Sequence, residues 1–416
     1  MVSRKDVLKQ VEDMREEIVN FTKELVKIPT VNPPGEKYDE CAALIAKRLQ
    51  DIGFDVRLVE VPSEKLEELA PSGKGLPRVN VIGSLKGAAK GSTLHFNGHF
   101  DVVPPGTGWT KDPFSPAVDD GKLYGRGTSD MKSGIAAMIM AAKALVEAGV
   151  KLRGELAISA VPDEETGGFA GAGYLVKNRL IKADYAVVTE PSSIGTIWNA
   201  HKGALWLEIT TLGKAAHGSL PFMGINAFEK LVKVAQALES LKPKFTKKTS
   251  GHHLEPKEAR HPTIMIGGVV SGGVKVNVVP SRCSMTIDRR LIPEEKMIDA
   301  KKEVEEVIKG LSRKDPELKI EVKSLLEAEA AVTSKREKIC KTLTKNVKQV
   351  TSVTPRFNLC TAFLDMRFLV NQAGIPTVSY GPGLLKTAHT ADEYVLVDDL
   401  VIATKVLALT AMDLLK

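Results

Sequence analysis

Histidines and carboxylates recur along this chain in a combination that metal chemistry uses: His99 with Asp101, Asp130, the pair Glu164 and Glu165, Glu190 and, far downstream, His389. Alone, each has a bland reading, because a loop histidine or an acidic pair is ordinarily just solvated. Their coincidence at the ends of successive predicted strands gives them weight. Mixed imidazole and carboxylate donors suit a borderline ion such as Zn²⁺, with Co²⁺ or Mn²⁺ as substitutes, and one carboxylate shared between two ions would hold them about 3.5 Å apart. Two adjacent glutamates can then divide the labour. One binds metal while its neighbour takes a proton from the attacking water and returns it to a leaving amine. Asp101, two residues beyond His99, reads either as a surface aspartate or as a carboxylate orienting the imidazole through its other ring nitrogen.

The elements that must position these residues follow from pattern and breakers. An amphipathic helix over Val7 to Lys27 ends at Pro29, and a turn-rich segment to Gly35 leads to a helix from Tyr38 to Ile52, closed by Gly53. Strands are expected at Asp55 to Val61, Asn80 to Leu85 and Thr93 to Asn97, the last running into the loop with His99 and Asp101. Ser133 to Ala148 reads as a long, Ala-rich buried helix. A strand from Glu155 to Val161 delivers Pro162-Asp-Glu-Glu165, and after a helix from Ala170 to Asn178 another from Tyr185 to Thr189 delivers Glu190. This alternation argues for an α/β fold with its chemistry at the carboxyl ends of the strands.

From about His201 the pattern changes to strands at Ala204 to Thr211, Thr263 to Gly267, Cys283 to Asp288 and Lys319 to Leu326, with helices at Ala227 to Leu241 and Glu294 to Leu311. A helix over Ser334 to Val350 and a core strand at Thr377 to Tyr380 then resume the first pattern. The expected organisation is a discontinuous domain, 1–199 and 330–416, interrupted by an inserted α+β domain, 200–329. Within the insert, Lys242 to His261 reads as an exposed loop, and its His252 and His253 are not assigned as ligands.

A chain of 416 residues with 43% hydrophobic and 26% charged residues has ordinary globular composition and exceeds the usual size of one core. The longest apolar stretch, near Ile135 to Val150, is interrupted by Lys143 and Glu147 and is too short to span a bilayer. The N-terminal residues run into a charged helical pattern rather than a secretory signal, so a cytoplasmic location is expected, with no membrane partner. Cys41, Cys283, Cys340 and Cys360 lie far apart and are expected reduced and buried. The net charge of +7 is spread among acidic residues rather than gathered in a stripe, which favours small anionic substrates over nucleic acid.

Six motifs quoted in order are Gly98-His-Phe-Asp-Val-Val-Pro104, Tyr124-Gly-Arg-Gly-Thr-Ser-Asp-Met-Lys-Ser-Gly134, Pro162-Asp-Glu-Glu-Thr-Gly-Gly168, Thr189-Glu-Pro191, Gly213-Lys-Ala-Ala-His-Gly218 and Ala388-His-Thr-Ala-Asp-Glu393. Together they closely resemble the M20 metallopeptidase family, which includes acetylornithine deacetylase, succinyl-diaminopimelate desuccinylase, aminoacylase and glutamate carboxypeptidases. The resemblance implies a zinc-peptidase-like catalytic domain with a mixed central sheet and an inserted lid and dimerisation domain. It implies two divalent ions bridged by Asp130, with His99 and Glu190 completing one ion's protein shell and Glu165 and His389 the other's. It further implies Glu164 as general base, Asp101 as the partner of His99, and a homodimer formed through the insert. In that dimer His217 would reach a partner's site to hydrogen-bond the oxyanion. Asn277 and Arg290 match groups that hold the substrate's polar end and its α-carboxylate, although each, like His217, also reads as an ordinary surface residue.

One departure from the family pattern concerns Thr361-Ala-Phe-Leu364, where many members carry small residues and Thr or Ser. Phe363 and Leu364 either make the pocket more apolar than a succinyl-diaminopimelate site or pack in the core, their default. Asp365 and Arg367 keep their family places and are expected to buttress the pocket. The function implied is hydrolysis of the amide bond of an N-acyl amino acid, with dipeptidase or metallo-carboxypeptidase action as the alternative. A non-catalytic metal-binding protein is a remoter reading, since the base and ligand positions are all filled.

Overall fold

The computed structural model describes residues 2–416. The chain separates into two compact units: Met1–Asn199 with Thr333–Asn358 and Leu364–Lys416, and Ala200–Val332 with Leu359–Phe363. The short segment 359–363 thus groups with the second unit, whereas the sequence pattern places everything from 330 onward in the first.

The first unit is built on a mixed sheet. Strands Glu155–Val161, Thr93–His99, Tyr185–Val188 and Thr377–Ser379 lie side by side in that order and run parallel. Val79–Lys86 and then Asp55–Glu60 extend one edge antiparallel. Ile158 and Val161, and Val187 and Val188, are β-branched residues that suit strands covered on both faces, and all four are buried. Register sets where the strands end: His99 pairs with Val161 and Asn97 with Val188, so the chain leaves all three strands at the same edge of the sheet.

The predicted helix at Ser133 is observed as Lys132–Glu147, and nearly every residue through Leu145 is buried. Its Ala, Met and Ile side chains leave no polar face because it packs against strands and against further helices, including Val397–Leu414. That last helix is apolar nearly all round and gives no amphipathic signal, which is why pattern alone does not mark it. The predicted helix from Val7 is divided in two, Arg4–Asp13 and Arg15–Lys27, at Met14, whose ψ of 6° leaves the helical region while its side chain stays buried. Among the described residues no helix is long and apolar enough to cross a membrane.

The second unit contains an antiparallel sheet ordered Thr263–Gly272, Arg282–Leu291, Gly203–Leu212 and Lys319–Ala328. Helices Ala227–Glu239 and Met297–Lys314 cover one face and share its core. The segment expected as an exposed loop is partly anchored. Lys242–Phe245 is a short helix with Phe245 buried, and Leu254 packs on Ala200 and Leu359. The charge-rich composition conceals these two apolar pegs.

Close packing reaches the site at Gly134, where a Cβ would overlap the carbonyl oxygen of Thr189, one residue before Glu190. Gly134→Ala is therefore expected to cost about 1–3 kcal/mol in urea unfolding, by forcing the helix away from the strand end.

Candidate metal centre

Each parallel strand ends in a short polar loop, and the loops converge. Thr93–His99 terminates on His99, Glu155–Val161 leads through Pro162 and Asp163 to Glu164, and Tyr185–Val188 leads through Thr189 to Glu190. Asp130 sits just before helix Lys132–Glu147, and His389 lies in the connection after Thr377–Ser379.

The five expected ligands come together. Asp130 is central: its Oδ1 lies 3.2 Å from His99 Nε2 and its Oδ2 lies 3.4 Å from His389 Nε2. Glu190 approaches His99 Nε2 at 4.0 Å, and Glu165 approaches His389 Nε2 at 3.1 Å. Two donor sets result, His99 with Asp130 and Glu190, and Asp130 with Glu165 and His389, and within each the donor atoms all lie within 4.8 Å of one another. Asp130 belongs to both.

Asp101 does more than accompany its histidine. The Nδ1 of His99 lies 3.0 Å from the Asp101 carbonyl and 3.4 Å from its carboxylate, which directs Nε2 toward Asp130. The same carboxylate accepts the backbone N–H of Glu164 and of Glu165, each at 3.2 Å. One fully buried side chain therefore orients a histidine and the turn that carries both glutamates.

Behind Asp101 lies a buried network that sequence reasoning misses. Asn32 donates to Asp101 at 2.8 Å and to Asp163 at 3.2 Å. Asp163, held at φ 65°, also accepts from Arg78 Nε at 2.6 Å and Tyr38 Oη at 3.0 Å. The fixed turn before Glu164 follows from these bonds. Asn32 and Asp163 stand in motif-like segments, so a signal exists for them; Arg78, alone in its stretch, offers none.

Electrostatics separates the groups. Burial and then the charge of Glu190 hold the Glu164 carboxyl well above the usual carboxylate range. Burial likewise lifts Glu165 and Glu190, against the opposing pull of the histidines. Asp130 is held below its ordinary value, because hydrogen bonds with His389 and His99 outweigh its burial. Those with Asp130 and Glu165 push His389 up to about 11.

Four carboxylates therefore crowd around two imidazoles, and Glu164 Oε1 and Glu190 Oε1 are buried without a hydrogen-bond partner. Buried anionic oxygens are costly unless paired or bound to metal. The residues present fit divalent cations.

Asp365 and Arg367 bear on the same turn. Arg367 donates to the Gly167 carbonyl, and Asp365 packs on Gly168 with burial raising its carboxyl to about 7. Phe363 and Leu364 are both buried; Phe363 meets Trp206 edge-to-face at 5.7 Å within the second unit.

In that unit His217 and Asn277 are exposed neighbours, with the Gly218 N–H donating to the Asn277 carbonyl at 2.8 Å. Arg290 is elsewhere. The segment preceding strand Arg282–Leu291 joins the His217 loop, where Gly213 N–H donates to the Ser281 carbonyl, while Arg290 lies near the strand's other end. At the rise of a strand that is a separation of roughly 30 Å. Arg290 pairs with Asp288 at 2.8 Å, its guanidinium 5.9 Å from the Trp206 ring centre and 5.7 Å from that of Phe363.

The model of peptidase family M20/M25/M40 matches residues 95–413, and the chain belongs to that family of metal-dependent hydrolases. An N-formyl-4-amino-5-aminomethyl-2-methylpyrimidine deformylase of Bacillus subtilis is 29% identical over 96% of this chain and 95% of its own. An acetylornithine deacetylase of Salmonella typhimurium is 30% identical over 90% of this chain and 92% of its own. The crystal structure of human carnosine dipeptidase 1 superposes with a TM-score of 0.80 at 20% identity, covering 99% of this chain and 98% of that one.

Removing a carboxylate that serves one donor set only should uncouple the two sets. The natural chain is expected to bind two divalent ions and Glu190→Ala only one tightly, counted by equilibrium dialysis against Zn²⁺.

Proposed function

We propose that this chain is a dinuclear amidohydrolase that removes the acyl group of an N-acyl amino acid or similar acylated amine, with Glu164 as general base. The observation that carries the reading is the position of Asp130, one carboxylate oxygen toward each of two histidines. In this reading His99, Asp130 and Glu190 hold one ion, and Asp130, Glu165 and His389 the other. The bound ions supply Lewis acidity to the scissile carbonyl and acidity to the attacking water.

The remaining work falls to side chains. Glu164, buried and unpaired, takes the proton of the attacking water and passes it to the leaving nitrogen. Asp101 keeps His99 and the Glu164 turn in register. Arg290 takes the substrate's carboxylate, for which its planar fork is suited, and the rings of Trp206 and Phe363 limit its movement. His217 hydrogen-bonds the oxyanion, and Asn277 beside it holds the acyl end.

Separation of these groups supports a shared site. His217 and Asn277 are too far from Arg290 to touch one small substrate within a single copy, so if all three act, they come from different copies. The edge strand Thr263–Gly272 also exposes Met265, Val269 and Val270, and the loop beyond it exposes Val274 and Val276, which supports a homodimer formed through this unit.

The deacetylase and deformylase relatives favour an acyl substrate, and the likeness in fold to a dipeptidase keeps a dipeptide as the second reading. A panel of N-formyl, N-acetyl and N-succinyl amino acids and dipeptides, offered to metal-free protein with and without Zn²⁺, Co²⁺ or Mn²⁺, decides between them. Turnover is expected only with added ion, on acyl substrates, and to fall about 10²–10⁴-fold in Glu164→Ala. Dipeptide cleavage alone would replace the first reading by the second.

Mixing tests the shared site. Glu164→Ala and His217→Ala subunits, each inactive, should regain about a quarter of wild-type activity when exchanged in equal amounts, since half the dimers then hold one intact site of two. No recovery at any ratio would place His217 in its own subunit's site, and an active His217→Ala protein would place it outside the reaction.

A further inference from the structure

The last of the recognised motifs ends in Glu393, four residues beyond His389, and nothing in the proposed chemistry uses it. Its side chain is fully buried. One carboxylate oxygen accepts the backbone N–H of Ser129 at 2.8 Å and of Asp130 at 3.0 Å; the other accepts that of Gly127 at 3.1 Å and Arg126 Nη1 at 2.5 Å. Arg126, itself 1% exposed, stacks over Trp109 and reaches the Pro105 carbonyl at 3.2 Å. The loop holding Asp130 therefore curls its amides around a single carboxylate that belongs to the loop holding His389.

Other bonds join the same two segments. The Gly125 N–H donates to the Glu393 carbonyl, Leu384 N–H donates to Ser129 Oγ, and Ser129 Oγ donates to the Leu384 carbonyl. Glu393 stands at the middle of this seam, and its bond to the Asp130 N–H is the one that reaches the shared carboxylate's own residue.

We propose that Glu393 is a positioning residue of the metal centre, locking the Asp130 loop to the His389 loop so that the shared carboxylate faces both donor sets. The inference rests on the dinuclear reading above. Glu393 touches neither substrate nor ion. Its effect should fall on ion affinity and on ligand geometry, whereas a merely structural pair with Arg126 would affect folding stability alone.

The test titrates Co²⁺, whose visible absorption reports its ligand geometry, into metal-free wild-type, Glu393→Gln and the double variant Arg126→Met/Glu393→Gln, and records the melting temperature of each metal-free protein. The double variant leaves no buried guanidinium without its partner, so it keeps the test valid where the single variant fails to fold. Expected is a roughly 10–100-fold weaker Co²⁺ affinity in at least one of the two sites, with a changed absorption spectrum, in a double variant that melts close to wild type. Wild-type affinity and spectrum in the variants, with only the melting temperature lowered, would overturn the proposal. Fewer than two Co²⁺ bound by the wild type would instead bring down the dinuclear reading itself, and this inference with it.

Discussion

Negative charge gathered in a buried space is the constraint from which the first unit's architecture follows. Asp130, Glu164, Glu165 and Glu190 crowd around the imidazoles of His99 and His389, away from solvent apart from the side of His389. Burial makes each of these charges costly and lifts three of the carboxyls above their ordinary range. A protein does not gather anionic groups in this way for stability, since each costs free energy unless it is paired. The arrangement is intelligible as a cradle for divalent ions, with Asp130 common to both halves.

Holding that cradle requires rigid supports, and the fold supplies them at successive depths. The register of the parallel strands brings His99, the turn of Glu164 and the end of the strand before Glu190 to one edge. Asp101 then ties His99 to both glutamates, and Asn32, Asp163, Arg78 and Tyr38 hold the turn from behind. Glu393 accepts the amides of Gly127, Ser129 and Asp130 in the loop that carries Asp130. Much of what supports the donors is thus backbone N–H and buried carboxylate rather than apolar packing. That explains polar residues at 0% exposure in a unit whose core is otherwise apolar.

The donors are legible in the sequence because metal ligands are limited to few residue types and here fall at strand ends, and their resemblance to known motifs orders them. The supporting groups are harder to read. Arg78 and Tyr38 act through long-range contacts that no local pattern announces, and Glu393 stands in plain view at the end of a motif whose histidine is the more conspicuous residue. Periodicity finds the helix at Lys132 and the helix closed by Gly53, but not Val397–Leu414, which is buried over most of its surface and carries too few polar residues to mark a face. Composition misjudges 242–261, where Phe245 and Leu254 are pegged into the second unit despite charged neighbours. The side-chain pocket that selects a substrate is illegible for a different reason: it depends on the identity of a few contacts rather than on a pattern.

The proposal that Asp130 is shared by two ions is the point on which this account turns, and anomalous diffraction from crystals grown with Zn²⁺ tests it most directly. Two peaks about 3.5 Å apart are predicted on either side of the Asp130 carboxylate, one against His99 and Glu190 and the other against Glu165 and His389. A single peak at full occupancy, or ions bound with the Asp130 carboxylate turned away from one of them, would contradict this.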